Sequence, residues 1–148
     1  MFDLSELWNI IDIKRETLLL GGNKMKYYVC EHCGNIVEFV KESGVPVVCC
    51  GEKMKELVPG SVDAAVEKHV PVVKVDGNKV EVFVGDVEHP MVDVHYIEWI
   101  EIETKQGTQR KYLKPEQKPE AVFYLAEGDE FVAAYEHCNL HGLWVKEA

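Results

Sequence analysis

The sequence predicts a mainly β protein, in which a small cysteine-rich metal module is followed by an antiparallel β-sandwich. Three observations lead there. Four of the five cysteines, Cys30, Cys33, Cys49 and Cys50, are crowded into one short stretch. From residue 61 onward the apolar residues fall in short alternating runs, with no long helical period. Clusters of turn-forming residues separate those runs at close intervals, as in a sandwich rather than a chain of βαβ units.

Residues 1–24 read as an N-terminal extension. "MFDLSELWNIIDIKRETLLL" places Leu4, Leu7, Trp8, Ile11 and Leu18 on one helical stripe. Asp3 and Glu6 have the spacing of a helix cap and its return partner. "GGNKM" then ends the pattern. Gly-Gly shortly before Met25 also fits a translated ribosome-binding site, which would make the segment a start-site artefact. Both readings leave it without chemistry. Its acidic beginning and the lack of a small-residue cleavage site do not match a secretory signal.

Residues 25–60 form the metal module. "MKYYVCEHCGNIVEFV" reads as a hairpin built around C-x-x-C, and "GVPVVCCGEKMKEL" brings the second cysteine pair. A unit below about 40 residues needs a metal or a disulfide in place of a large core. Residues 61–148 supply the strands "VPVVKV", "KVEVFV", "VHYIEWIEI", "RKYL", "AVFYL" and "FVAAYE". Between them lie "DGNK", "GDVEHP", "KQGTQ", "KPEQKPE" and "AEGDE", all turn-rich.

The 148 residues carry a net charge of −10, which disfavours nucleic acid and anionic membrane as partners. No apolar run approaches the roughly 20 residues of a membrane span. The expectation is a cytoplasmic protein, and there an odd, clustered set of thiols suits metal better than disulfides.

Two constellations follow. Cys30-x-x-Cys33 and Cys49-Cys50 can close a tetrahedral four-sulfur site that suits zinc or iron. The adjacent pair is unusual, since ribbons of this kind normally repeat C-x-x-C, and its sulfurs must splay to reach one ion. His32 lies between ligands of a site that is already full and is left out. The second constellation is His69, His89, His95, His141 and Cys138. Each histidine sits at a strand end or in a loop, where a rigid scaffold presents binding groups. His137 adjoins Cys138, so strand alternation should turn it to the other face. Five ligands exceed a closed zinc site and leave a six-coordinate ion one open position. A blue-copper site on a similar sandwich is the nearest rival, but no methionine follows His141.

Several motifs in the same order, from about Met25 to the C-terminus, resemble the desulfoferrodoxin family of two-iron superoxide reductases. They are "CEHCGN", "VCCGEKM", "VDAAVEKHVPV", "HPM", "HYIEWIE", "LKP", "PEAVF" and "CNLHGLW". The resemblance implies a desulforedoxin- or rubredoxin-like module and an immunoglobulin-like sandwich. It implies iron held by Cys30, Cys33, Cys49 and Cys50. It implies a second iron with His69, His89, His95 and His141 around its equator and Cys138 on its axis. Glu67 and Lys68 match the family's pair beside the first histidine and are the candidate catalytic residues. The implied activity is one-electron reduction of superoxide to hydrogen peroxide, with electrons from a rubredoxin-like donor, in a cytoplasmic homodimer. The alternative is a non-catalytic two-iron electron carrier, which needs no open coordination position.

Overall fold

A computed structural model describes residues 24–148. The helical stripe expected over residues 1–20 lies outside that range. The first region is built from very short strands. β1 (Tyr27–Val29) pairs antiparallel with β2 (Ile36–Glu38) and, on its other side, with β5 (Lys55–Glu56). β3 (Val48–Cys49) and β4 (Glu52–Lys53) form a separate two-stranded ladder.

One helical turn, α1 (Val66–His69), leads into the sandwich. β6 (Pro71–Asp76), β7 (Lys79–Val84) and β10 (Glu120–Tyr124) make one sheet in the order β10-β7-β6. β8 (Ile97–Thr104), β9 (Gly107–Tyr112), β11 (Phe131–Cys138) and β12 (Gly142–Glu147) make the other, in the order β12-β11-β8-β9. The alternation in "KVEVFV" does what a period of two requires: Val80, Val82 and Val84 all face inward and are buried. They pack beside Phe123 of the same sheet and on Ile97, Ile100, Ile102, Ala134 and Cys138 across the sandwich.

The four-stranded sheet is covered on both faces. Its outer face presents Trp99, Ala133, Tyr135 and Leu143, and Tyr27 of β1 packs against them. Here the junction also holds charge. Glu101 is 1% exposed, accepts hydrogen bonds from the Tyr27 hydroxyl (2.8 Å) and from Arg110 (2.6 and 2.9 Å), and so carries a paired buried carboxylate. Arg110 reaches on to Glu38 of β2 and ties the module to the sheet.

Two local differences from the sequence reading bear on the site. "GLWVKE" forms β12, a strand absent from the sequence-predicted set, so "CNLH" is the turn of a β11–β12 hairpin. His95 does not begin β8; it makes an isolated bridge with Val92, and the strand starts at Ile97.

Candidate metal centres

The four sulfurs of Cys30, Cys33, Cys49 and Cys50 lie within 4.8 Å of one another. Local backbone geometry explains how. After Cys30 the chain turns tightly, with Gly34 at φ 79° donating its N–H to the Cys30 carbonyl at 2.9 Å. The N–H groups of Cys33 and His32 point at the Cys30 sulfur and lower its thiol to about 6, so this thiolate forms easily. Cys49 ends β3, and Cys50 and Gly51 form the two-residue turn into β4 with φ of 52° and 79°. Two positive φ values are what a tight hairpin of this length demands. The left-handed Cys50 swings the second sulfur back beside the first, which is how the adjacent pair converges. The thiols of Cys33 and Cys30 push Cys50 up to about 12, because thiolates cannot gather without a cation among them. The Cys33–Cys49 separation of 3.6 Å is close to the edge of a tetrahedron with bonds of about 2.3 Å. His32 is exposed and pairs with Glu52 instead.

The second cluster draws on four chain segments. α1 presents His69, the loop after β7 presents His89, the bridge region presents His95, and the β11–β12 hairpin presents Cys138 and His141. Gly85 makes the first of these possible. A Cβ there would lie 2.6 Å from the Glu67 carbonyl, so only glycine lets the end of β7 close on α1. Asn139 fixes the third. Its side chain accepts the Tyr96 N–H at 2.9 Å and donates to the Val94 carbonyl at 3.1 Å, while its own N–H reaches Tyr96 O at 3.2 Å. Both neighbours of His95 are thus clamped to the turn that carries His141.

The imidazoles form a square. Ring centroids of neighbours are 4.7 Å (His69–His89), 4.6 Å (His89–His95), 4.9 Å (His95–His141) and 4.8 Å (His69–His141), whereas the His69–His95 diagonal is 6.5 Å. The donor atoms are oriented by carbonyls. His69 Nδ1 donates to Ala65 O and His89 Nδ1 to Pro90 O, each at 2.7 Å. Each ring is thereby left with a bare lone pair on Nε2. Those two Nε2 atoms are 3.1 Å apart, and His69 Nε2 is 3.0 Å from His141 Nδ1. The bare Nε2 atoms of His69 and His89 repel at that range unless a cation lies between them. A proton is a poor candidate, since burial lowers His69 and His95 and holds His89 at about 4. A metal fits: two nitrogens at right angles about one ion, with bonds of about 2.1 Å, stand about 3.0 Å apart. His95 Nε2 is buried without a hydrogen-bond partner among the described residues. The fifth donor, Cys138 Sγ, lies 3.7 Å from His141 Nδ1, and burial raises its thiol, so its thiolate also calls for a cation.

The chain belongs to the desulfoferrodoxin family. The family model described as Desulfoferrodoxin matches residues 61–147, and that of the desulfoferrodoxin N-terminal domain matches residues 22–57. A desulfoferrodoxin of Nitratidesulfovibrio vulgaris is 48% identical over 126 residues, covering 85% of this chain and 98% of the relative. A desulfoferrodoxin homolog of Archaeoglobus fulgidus is 48% identical over 120 residues, covering 81% and 94%. The crystal structure of the superoxide reductase from Treponema pallidum superposes with a TM-score of 0.72 at 38% identity, covering 84% of this chain and all of that one. The four-cysteine cluster and the cluster of four histidines and one cysteine match the two iron centres of desulfoferrodoxins.

The remaining sequence candidates lie at the edge of the second cluster. Lys68 is half-buried, and its charge adds to burial in lowering His95; it makes no ion pair among the described residues. Glu67 is exposed and lines an outer groove with Val70, Asp86 and Lys146, not the interior of the square. His137 turns away from the cluster: it stacks on Trp99 and hydrogen-bonds Glu98 at 2.6 Å. Sequence reasoning missed Asn139, Gly85 and Glu136. Glu136 is fully buried two residues before Cys138, with both oxygens unpartnered among the described residues, and burial pushes it well above the usual carboxylate range. The acid in "AAYEHC" was visible, but only the fold shows that it faces the core.

Proposed function

We propose that this chain is a superoxide reductase, which adds one electron and two protons to superoxide and releases hydrogen peroxide without oxygen. The observation that carries this is the four-imidazole square with one buried thiol, in a family whose solved member from Treponema pallidum is named a superoxide reductase. Iron bound there would supply the electron and a place for a small ligand. His69, His89, His95, His141 and Cys138 hold that ion. Cys138 is buried in the core, while His95 and His141 are partly exposed, so a small ligand would reach the cluster past those two rings.

Glu67 and Lys68 serve that partly exposed side. Superoxide is an anion and the chain carries −10, so attraction must be local. Lys68 supplies it, standing close enough to His95 to be felt there. Glu67, exposed on the same helical turn, is the carboxylate on that side, and its side chain lines the outer groove. Lys68→Ala should slow the second-order reaction and flatten its salt dependence; an unchanged rate removes that role.

The four-cysteine iron primarily holds the module of residues 25–60 together, ahead of the sandwich of residues 61–148. A rubredoxin-like one-electron carrier restores the reduced state, and the working form is a cytoplasmic homodimer. A reducing compartment suits five cysteines that form no disulfide. Among the described residues no helix is long and apolar enough to cross a membrane.

The test is stoichiometry. Protein prepared without oxygen should contain two irons and yield one peroxide per superoxide consumed. Oxygen release with half as much peroxide would mean dismutation. A spectrum indifferent to azide and cyanide would favour the pure electron carrier.

A further inference from the structure

Three buried rings run between the two clusters. Tyr27 lies in β1, three residues before Cys30. Its ring centroid is 5.3 Å from that of Trp99 on β8. Trp99 and His137 are directly opposite one another across β8 and β11, with ring centroids 5.6 Å apart and planes within 11°. His137 is bonded to Cys138. All three rings are no more than 7% exposed. From Cys30 to Cys138 the route is therefore either covalent backbone or ring-to-ring contact, with no solvent gap.

We infer that Tyr27, Trp99 and His137 form an electron path from the four-cysteine centre to the histidine–cysteine centre. This rests on the two-iron reading above. Electronic coupling decays more slowly through bonds and packed rings than across gaps. In the step, the ferrous four-cysteine iron loses one electron and becomes ferric, and the ferric iron of the histidine–cysteine centre gains it and becomes ferrous. No bond changes and no proton moves. The Arg110 guanidinium stands 5.1 Å from the Trp99 ring centroid and is itself paired with Glu101 and Glu38, which holds the indole between the two other rings. The ring bridges the two centres and is neither oxidised nor reduced in the net step. The Tyr27 hydroxyl is committed to Glu101 and anchors the first ring in place.

The test reads the centres and not turnover. With both irons oxidised and oxygen excluded, a rapid pulse of reductant should first bleach the four-cysteine spectrum. That spectrum should then recover as the thiolate–iron band is lost, at a rate independent of protein concentration. Trp99→Leu should slow this phase severalfold. Tyr27→Phe keeps the ring and removes only the bond to Glu101, so it should lower thermal stability and keep the rate. A wild type without the concentration-independent phase overturns the path. So does Trp99→Leu with two irons and the wild-type rate, or Tyr27→Phe slowing as much as Trp99→Leu. If Trp99→Leu does not fold, His137→Leu carries the same expectations. Failure of the underlying reading is separable, because it shows in the wild type as missing iron or missing superoxide reduction.

Discussion

The four-cysteine and histidine–cysteine clusters reach similar donor spacing from opposite kinds of scaffold. The sulfurs sit at the ends of, and in the turns between, strands of two or three residues, with Cys33 and Cys50 exposed. The imidazoles hang from a sandwich with strands of up to eight residues, and His69, His89 and Cys138 are 2%, 1% and 0% exposed. In the first case the ion replaces a core that the module is too small to build. In the second the core exists already, and the ion fills a place where orientated lone pairs would otherwise collide. The fold of the module should therefore depend on its metal, and the fold of the sandwich should not.

Breaking the first site tests that most severely. Cys33→Ser, or chelation, should cost the module its fold, read as loss of amide protection in β1 and β2 while β7, β8 and β11 keep theirs. Equal loss in both regions would mean that the two are one cooperative unit. The next largest effect lies at their junction. Arg110→Ala strands the buried Glu101 carboxylate and frees Glu38, and should cost about 3 kcal/mol in denaturant unfolding. A loss below about 1 kcal/mol would mean that the aromatic contacts of Tyr27 hold the junction without the ions.

Asn139→Ala sharpens the comparison inside the sandwich. It removes two side-chain hydrogen bonds that clamp the His95 segment to the His141 turn. The cost should be about 1–3 kcal/mol, with weaker iron binding and a shifted thiolate–iron band. The four-cysteine spectrum should not move. A change there instead would mean that the clamp acts on the whole molecule.

The contrast also separates what was legible from what was not. The four-cysteine site was readable because its geometry is local: a C-x-x-C turn, and a C-C-G hairpin turn whose positive φ values bring adjacent sulfurs together. The histidine–cysteine site was readable as a ligand set from residue type and position, and its metal through the family motifs, but spacing could not say which rings are neighbours. His69 meets His89 and His141 and lies across from His95, an order set by how β7, β8 and β11 pack. β12 escaped because "CNLHGLW" reads first as a ligand turn, and Gly142 in its opening position weakens a strand signal. Nor could alternation in "IEWIEIET" show that Trp99 and Glu101 are covered by a second region, since a covered outer face and a wet one have the same period.

The smallest effect compares two acids on that covered face. Glu101 has Arg110; Glu103, two residues on, has no ion pair among the described residues and accepts only the Tyr135 hydroxyl at 3.2 Å. Burial, with the nearby Glu101 charge, raises the Glu103 carboxyl above its ordinary 4.5. A raised folded value means that the fold favours the protonated form. The stability this contributes is fully present below pH 4.5 and is lost as pH rises through the folded value. Glu103→Gln keeps the neutral shape and removes that loss. The variant should match wild type near pH ~4 and exceed it by less than about 1 kcal/mol at pH ~7, measured on metal-loaded protein. A gap of equal size at both pH values would mean that Glu103 titrates in the fold as it does in the unfolded chain, and that a partly buried acid at this junction needs no cation to stay charged.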